Sequence, residues 1–188
     1  MALLPIITLP DPRLRRISEP VARVDAEIVT LLDDMLETMY KAPGIGLAAI
    51  QVAVAKRIVV IDLGKTEEDR APLYLINPEI IWASEELSVY EEGCLSVPDY
   101  FEEVKRPAKV RVRHMDRDGA VKEFDAEGLL ATVVQHEMDH LEGGLFIDHL
   151  SRLKRERVVK KFNKAARFDD IVAQRRAEAE AQSEEAGA

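Results

Sequence analysis

The run Gln135-His136-Glu137-Met138-Asp139-His140 gathers several side chains able to do chemistry into six positions. On a helix, residues four apart leave the same face with Cβ atoms about 5–6 Å apart. His136 and His140 can therefore reach one ion, at about 2.0–2.1 Å each for zinc. Glu137 follows about 100° further round such a helix. From there its carboxylate can take a proton from a water that the ion activates, without being a ligand. The same letters would also describe two surface histidines on a charged helix. Two imidazoles leave the ion short, because a catalytic zinc site normally has three protein ligands and keeps a fourth position for water. Glu142 lies two residues beyond His140 and points away from the pair. His149 follows the Gly143-Gly144 break and a strand-like Leu145-Phe146-Ile147. Cys94 is the better third candidate, since a thiolate is a strong ligand for Zn²⁺ or Fe²⁺ and Gly93 before it permits close backbone approach. Cys94, His136, His140 and one water would complete a tetrahedron.

The elements that must position these residues can be read from periodicity. Gly128 to Leu141 has a helical pattern, closed by Gly143-Gly144. On its wheel Leu129, Val133, His136 and His140 form one stripe. Leu130, Val134, Met138 and Leu141 form a second, about 120° away, which can face the core. Asp25 is a helix N-cap candidate. Ile28, Leu31, Leu32, Met35, Leu36 and Met39 then recur at helical spacing to about Lys41, before Pro43 and Gly44 stop the helix. Arg57 to Leu63 reads as a buried strand, and Leu73 to Ile76 as another ending at Asn77-Pro78. Val110, Val112 and His114 alternate with charged residues ahead of Asp118-Gly119, which predicts a hairpin. Ser151 to Arg167 is a third helix candidate. The expected class is α+β, with short antiparallel strands packed around a central metal-binding helix, an N-terminal-half helix and a C-terminal helix.

Composition narrows the function classes. The 188 residues suit one compact domain. The formal charge of −9 argues against a chain that binds DNA through its whole surface. A single cysteine excludes an internal disulfide and a disulfide-stapled secreted fold. Met1 to Pro10 is apolar but short, lacks basic residues and is interrupted by Pro5 and Pro10, so it is not read as a signal peptide. No apolar run approaches the roughly 20 residues that cross a bilayer. The expectation is a cytoplasmic protein without a membrane partner. From Asp169 the chain turns to Ala, Glu, Gln and Arg with little to bury. The division expected is a catalytic domain over 1–168 and an acidic Ala/Glu-rich tail over 169–188, helical or disordered.

Three segments resemble the peptide deformylase family of bacterial type. They are Gly44-Ile45-Gly46-Leu47-Ala48-Ala49-Ile50-Gln51, Glu92-Gly93-Cys94-Leu95-Ser96 and Gln135-His136-Glu137-Met138-Asp139-His140. They stand in the family's order with family-like spacing, and the similarity runs from about Leu4 to about Phe168. The resemblance implies that Cys94, His136 and His140 ligate the metal and that Glu137 is the acid/base. It also implies that Gln51 and the backbone N–H of Leu95 stabilise an oxyanion. The cofactor it implies is one divalent ion, usually Fe²⁺, with Zn²⁺ or Ni²⁺ able to occupy the same site.

The implied reaction removes the formyl group from N-formylmethionine on newly made proteins and releases formate. An apolar pocket for the methionine side chain is expected from Ile45, Tyr90, Leu129, Thr132 and Val133. The peptide backbone is expected to add as a strand beside Ile45, Gly46 and Gly93. Ser151 to Arg167 is rich in Arg and Lys against an otherwise acidic chain. It reads either as a solvated helix face or as a ribosome contact attracted by rRNA phosphates, as the resemblance suggests.

Overall fold

The computed structural model describes the backbone of residues 2–186 and the side chains of residues 2–168 and of Ile171. The chain forms two compact units, Met1–Leu150 and Ser151–Ala188. The first contains α1 (Ala26–Lys41), β1 (Gly46–Ala48), β2 (Ile58–Ile61), β3 (Leu73–Ala83), β4 (Leu87–Cys94), β5 (Val97–Pro107), β6 (Lys109–Met115), β7 (Val121–Glu127) and α2 (Gly128–Leu141). The second is α3 (Arg152–Ala186). The observed class is α+β, as expected, with every strand pairing antiparallel.

A five-stranded sheet has the order β1-β2-β3-β6-β7, and β4 and β5 form a separate hairpin. The sheet is covered on both faces at its β1–β2 end, and the sequence shows why. All four residues of β2 are apolar and buried, the signature of a strand without a wet face. Period-two alternation sends Ile58 and Val60 into a cluster with Leu32, Met35 and Met39 of α1. It sends Val59 and Ile61 into a second cluster with Ala131, Val134 and Leu141 of α2. Both helices are thereby fixed against the same short strands. Each fully buried aliphatic side chain contributes about 1.5–3 kcal/mol to holding them there.

Asp25 caps α1, its carboxylate accepting from the Ile28 N–H at 3.1 Å. The predicted hairpin is β6–β7, with Gly119 at φ +80° in its turn. Helix α2 ends where expected: the N–H of Gly144 returns to the Asp139 carbonyl at 2.7 Å, and Gly143 adopts φ +73°. Two expectations need correction. The strand starting at Leu73 does not stop at Asn77-Pro78 but runs on to Ala83. A register shift there absorbs the proline. Asn77 sits at φ +51°, and its side-chain amide bonds both the N–H and the C=O of Val21 at 2.8 Å. The strand-like Leu145-Phe146-Ile147 instead enters a 3₁₀ turn over Phe146–His149, capped at Leu145, whose N–H donates to the Asp148 carboxylate at 2.9 Å. The C-terminal helix continues well past Arg167. The expected tail over 169–188 is thus helical in its backbone as far as Ala186, and its last two residues lie outside the described residues.

Candidate metal centre and active site

Helix α2 supplies two of the three candidate ligands and is itself largely buried. The stripe Val134 and Leu141 is fully buried in the core, with Leu130 and Met138 packed against it. That orientation turns His136 and His140 toward the β4–β5 hairpin and Glu137 toward β1. Cys94 is the last residue of β4, just before the two-residue turn Leu95-Ser96. Ligand atoms of Cys94, His136 and His140 all lie within 4.8 Å of one another, and the Cys94 Sγ stands 3.2 Å from the His140 Nε2. One soft thiolate and two imidazoles converging from separate elements suit a divalent ion such as zinc or iron. The other two candidates are engaged elsewhere. Glu142 pairs with Arg57, and the His149 Nε2 lies 2.7 Å from Asp139.

The surroundings orient the donors. The His136 Nδ1 lies 2.8 Å from the Glu92 Oε2. Burial opposes a charge on Glu92, but hydrogen bonds from His136 and Arg106 outweigh it and hold its carboxyl below the usual range. A carboxylate can only accept, so Nδ1 carries a proton, and in the neutral ring that leaves the Nε2 lone pair for a metal. A carboxylate behind a ligating histidine commonly fixes tautomer and ring orientation in this way. Arg106 grips Glu92 through Nε at 2.6 Å and Nη2 at 3.0 Å, and reaches Asp139 through Nη1 at 2.9 Å. These charges are buried and paired, which is the condition under which burial is tolerated. Phe146 stacks on the far side of His136, with ring centroids 5.9 Å apart. The fully buried His140 lacks a partner at Nδ1 among the described residues.

Glu137 is almost fully buried, and its Oε2 has no partner among the described residues. Burial pushes its carboxyl up to about 7, and a cation alongside would lower it again. Strand β1 passes directly over it. A Cβ on Gly46 would collide with the Glu137 carboxylate, so only glycine lets the two approach this closely. Gln51 lies in a buried 3₁₀ turn, Ala49–Val52. Its Oε1 accepts from the Ala48 N–H at 2.8 Å, which leaves the amide N–H₂ to point at the Ser96 Oγ (3.1 Å) and the Cys94 Sγ (3.5 Å).

A cavity of about 590 Å³ opens over these groups. Of the residues expected around it, Ile45, Gly46, Gln51, Gly93, Cys94, Leu95, Leu129, Thr132, Val133, His136 and Glu137 line it. Tyr90 does not. It precedes Cys94 by four residues on β4, more than 13 Å along an extended strand at about 3.3 Å per residue. Its hydroxyl faces Gly128 at the start of α2 instead. Phe101 is a lining residue that the sequence did not single out. It pairs with Gly93 across the hairpin, and its ring occupies the space where a Cβ of residue 93 would stand. Only the strand register reveals it. Arg106 was missed for the same reason, since its partners lie 14 and 33 residues away.

Comparison with known proteins agrees with this geometry. Residues 3–156 match the polypeptide deformylase family. The chain is 63% identical over 172 residues to a peptide deformylase of Methylocella silvestris, covering 90% of this chain and 88% of that one. A crystal structure of peptide deformylase from Ehrlichia chaffeensis superposes with a TM-score of 0.83 at 42% identity, covering 89% and 99% of the two chains. A crystal structure of class I type b peptide deformylase from Acinetobacter baumannii, bound to Met-Ala-Ser, superposes with a TM-score of 0.75 at 33% identity, covering 79% and 99%. Motifs, fold and site geometry agree, and the chain belongs to the polypeptide deformylase family.

Proposed function

We propose that Cys94, His136 and His140 hold one divalent ion, that Glu137 is the acid/base, and that Gln51 with the Leu95 N–H stabilises the developing oxyanion. The reaction is the family's: hydrolysis of the formyl group from N-formylmethionine at the N-terminus of newly made proteins, with release of formate. The observation that carries the assignment of roles is the convergence of three donor atoms within 4.8 Å, beside a buried carboxylate with an oxygen unpartnered among the described residues. When bound, the ion supplies Lewis acidity and lowers the pKa of water toward about 7.

The chain's own residues do the rest. Glu137 accepts a proton from the attacking water as its oxygen adds to the formyl carbon. The Gln51 amide and the Leu95 N–H face the oxygen on which negative charge grows, each such donor contributing about 2.7–4 kcal/mol. Glu137 then passes the proton to the peptide nitrogen as the C–N bond breaks, leaving formate and a free amine. A group that must both take and give a proton works best with a pKa near the working pH, and burial moves the Glu137 carboxyl in that direction. Ile45, Leu129, Thr132 and Val133 receive the methionine side chain, while the backbone of Ile45, Gly46 and Gly93 pairs with the peptide as an added strand. The Met-Ala-Ser bound to the Acinetobacter baumannii relative is the kind of peptide that deformylation leaves.

Fe²⁺ is the proposed native ion, with Zn²⁺ or Ni²⁺ able to substitute; a mixed thiolate–imidazole set accepts all three. Residues 1–168 act as the catalytic domain and 169–188 as its tail. No helix among the described residues is long and apolar enough to cross a membrane, and a cytoplasmic location fits the substrate. The exposed basic run over 151–167 is proposed to meet ribosomal RNA phosphates.

Purification without oxygen, metal analysis and a formate assay on a formyl-Met peptide test the assignment. One equivalent of metal and formate release are expected. Cys94→Ser should weaken metal retention, and unchanged metal content and turnover in that variant would remove the thiolate from the ligand set.

A further inference from the structure

His149 is not among the converging ligands, yet it is joined to them by a continuous line of hydrogen bonds. Its Nε2 lies 2.7 Å from the Asp139 Oδ2, and the Arg106 Nη1 meets that same oxygen at 2.9 Å. The other arms of the guanidinium hold both oxygens of Glu92, at 2.6 and 3.0 Å. The Glu92 Oε2 in turn faces the His136 Nδ1 at 2.8 Å. We propose that His149 is a positioning residue for the metal centre, setting the orientation of His136 through Asp139, Arg106 and Glu92. The inference rests on the reading of Cys94, His136 and His140 as ligands.

The physical argument is rigidity. A guanidinium is planar and presents its donors in a fixed fork. Arg106 therefore cannot swing Nη1 without also moving Nε and Nη2 on Glu92. Its aim is set by two acids, one at each end. The Glu92 end is closed, both side chains being 4% exposed. The Asp139 end is open, with that side chain 29% exposed. His149 is the group that covers it. The Asp139 carboxylate is paired with Arg106, whose Nη1 donates to Oδ2 at 2.9 Å, and the His149 Nε2 meets the same oxygen at 2.7 Å. An ionised carboxylate only accepts, so the His149 Nε2 is the donor. Without that donor, the Asp139 oxygen is free to turn to water and draw Nη1 with it.

The turn that carries His149 is also fixed against the centre. Arg15 bridges the Gly143 carbonyl and Asp148. Phe146, the first residue of the turn, stacks on His136 itself.

The test compares wild type, His149→Ala and His149→Gln, loaded with Co²⁺ or Zn²⁺ without oxygen. Three quantities are read: metal affinity by chelator competition, the downfield proton signal of the His136 Nδ1–H in the zinc form, and thermal unfolding of the chelator-treated protein. Partners behind a metal ligand are typically worth 10–100-fold in affinity, and a group three hydrogen bonds further out should give about three- to tenfold. His149→Ala should lose that much affinity and shift the proton signal. His149→Gln keeps a donor within reach of Asp139 and should retain both. In an Asp139→Asn background, His149→Ala should have no further effect on affinity. Unchanged affinity and an unmoved signal in His149→Ala would overturn the proposal. So would a loss that persists undiminished beside Asp139→Asn. A wild-type cobalt form without a thiolate charge-transfer band would instead remove Cys94 from the ligand set, and this inference with it.

Discussion

Helices α2 and α3 both carry dense ionisable groups, and they use them in opposite ways. On α2, His136, Glu137 and His140 are buried, and Gln135 beside them is held by the carbonyls of Pro107 and Ala131 at 3.0 and 2.9 Å. Surrounding atoms fix the aim of His136, and low solvent access strengthens every charge nearby. On α3, every Lys and Arg from 152 to 167 is exposed, and Arg152 finds Glu156 one turn on at 2.7 Å. Such surface pairs contribute a few tenths of a kcal/mol and leave the side chains mobile. A helix becomes chemical when tertiary contacts remove both water and rotamer freedom from its polar groups. Charge alone gives it only a long-range field.

The sharpest way to break this contrast is to remove the buried Glu137 carboxylate. Glu137→Ala should retain metal, measured by direct metal analysis, and lose about 10²–10⁴-fold in formate release. Undiminished turnover would mean that its burial serves the fold and not the reaction. Gln51→Leu should cost about 10²–10³-fold in kcat, as loss of one oxyanion donor does. An effect confined to KM would make Gln51 a binding group. Gly46→Ala places a methyl against the Glu137 carboxylate. Steady-state kinetics should then show about a 10²-fold loss, the scale of an ångström-sized misplacement, although no chemical group has been removed. On α3 the expectation reverses. Changing Lys160, Lys161 and Lys164 together to Glu should leave formate release from a short peptide within about twofold, since exposed positions carry little of the stability. The same change should weaken a salt-dependent association with ribosomes. A large fall in activity on the short peptide would contradict the division of labour between the two helices.

Much of the centre is legible in the sequence alone. The four-residue spacing of His136 and His140 depends only on helix geometry, and the Gly143-Gly144 stop bounds that helix from the same local rules. The alternation in β2 and the Asp25 cap are local in the same sense. Cys94 was legible as a candidate through its chemistry, but its 3.2 Å approach to His140 spans 46 residues of sequence. The failures share one cause. Tyr90, expected in the pocket, is carried past it by the strand geometry and is absent from the cavity lining. Leu73 to Ile76 was stopped at a proline that a register shift accommodates, because the Asn77 side chain replaces the missing pairing.

Residue types and short-range spacing determined what chemistry this chain could attempt: two imidazoles and a carboxylate on one helix, with a thiol as the third donor. Tertiary structure decided which donors meet, which glycine lets β1 pass over Glu137, and that His149 joins Asp139 and not the Cys94–His136–His140 cluster. Local periodicity fixes directions along one element. The distances between elements follow from how sheet, hairpin and helix bury their apolar faces together, and no single stretch of sequence contains that information.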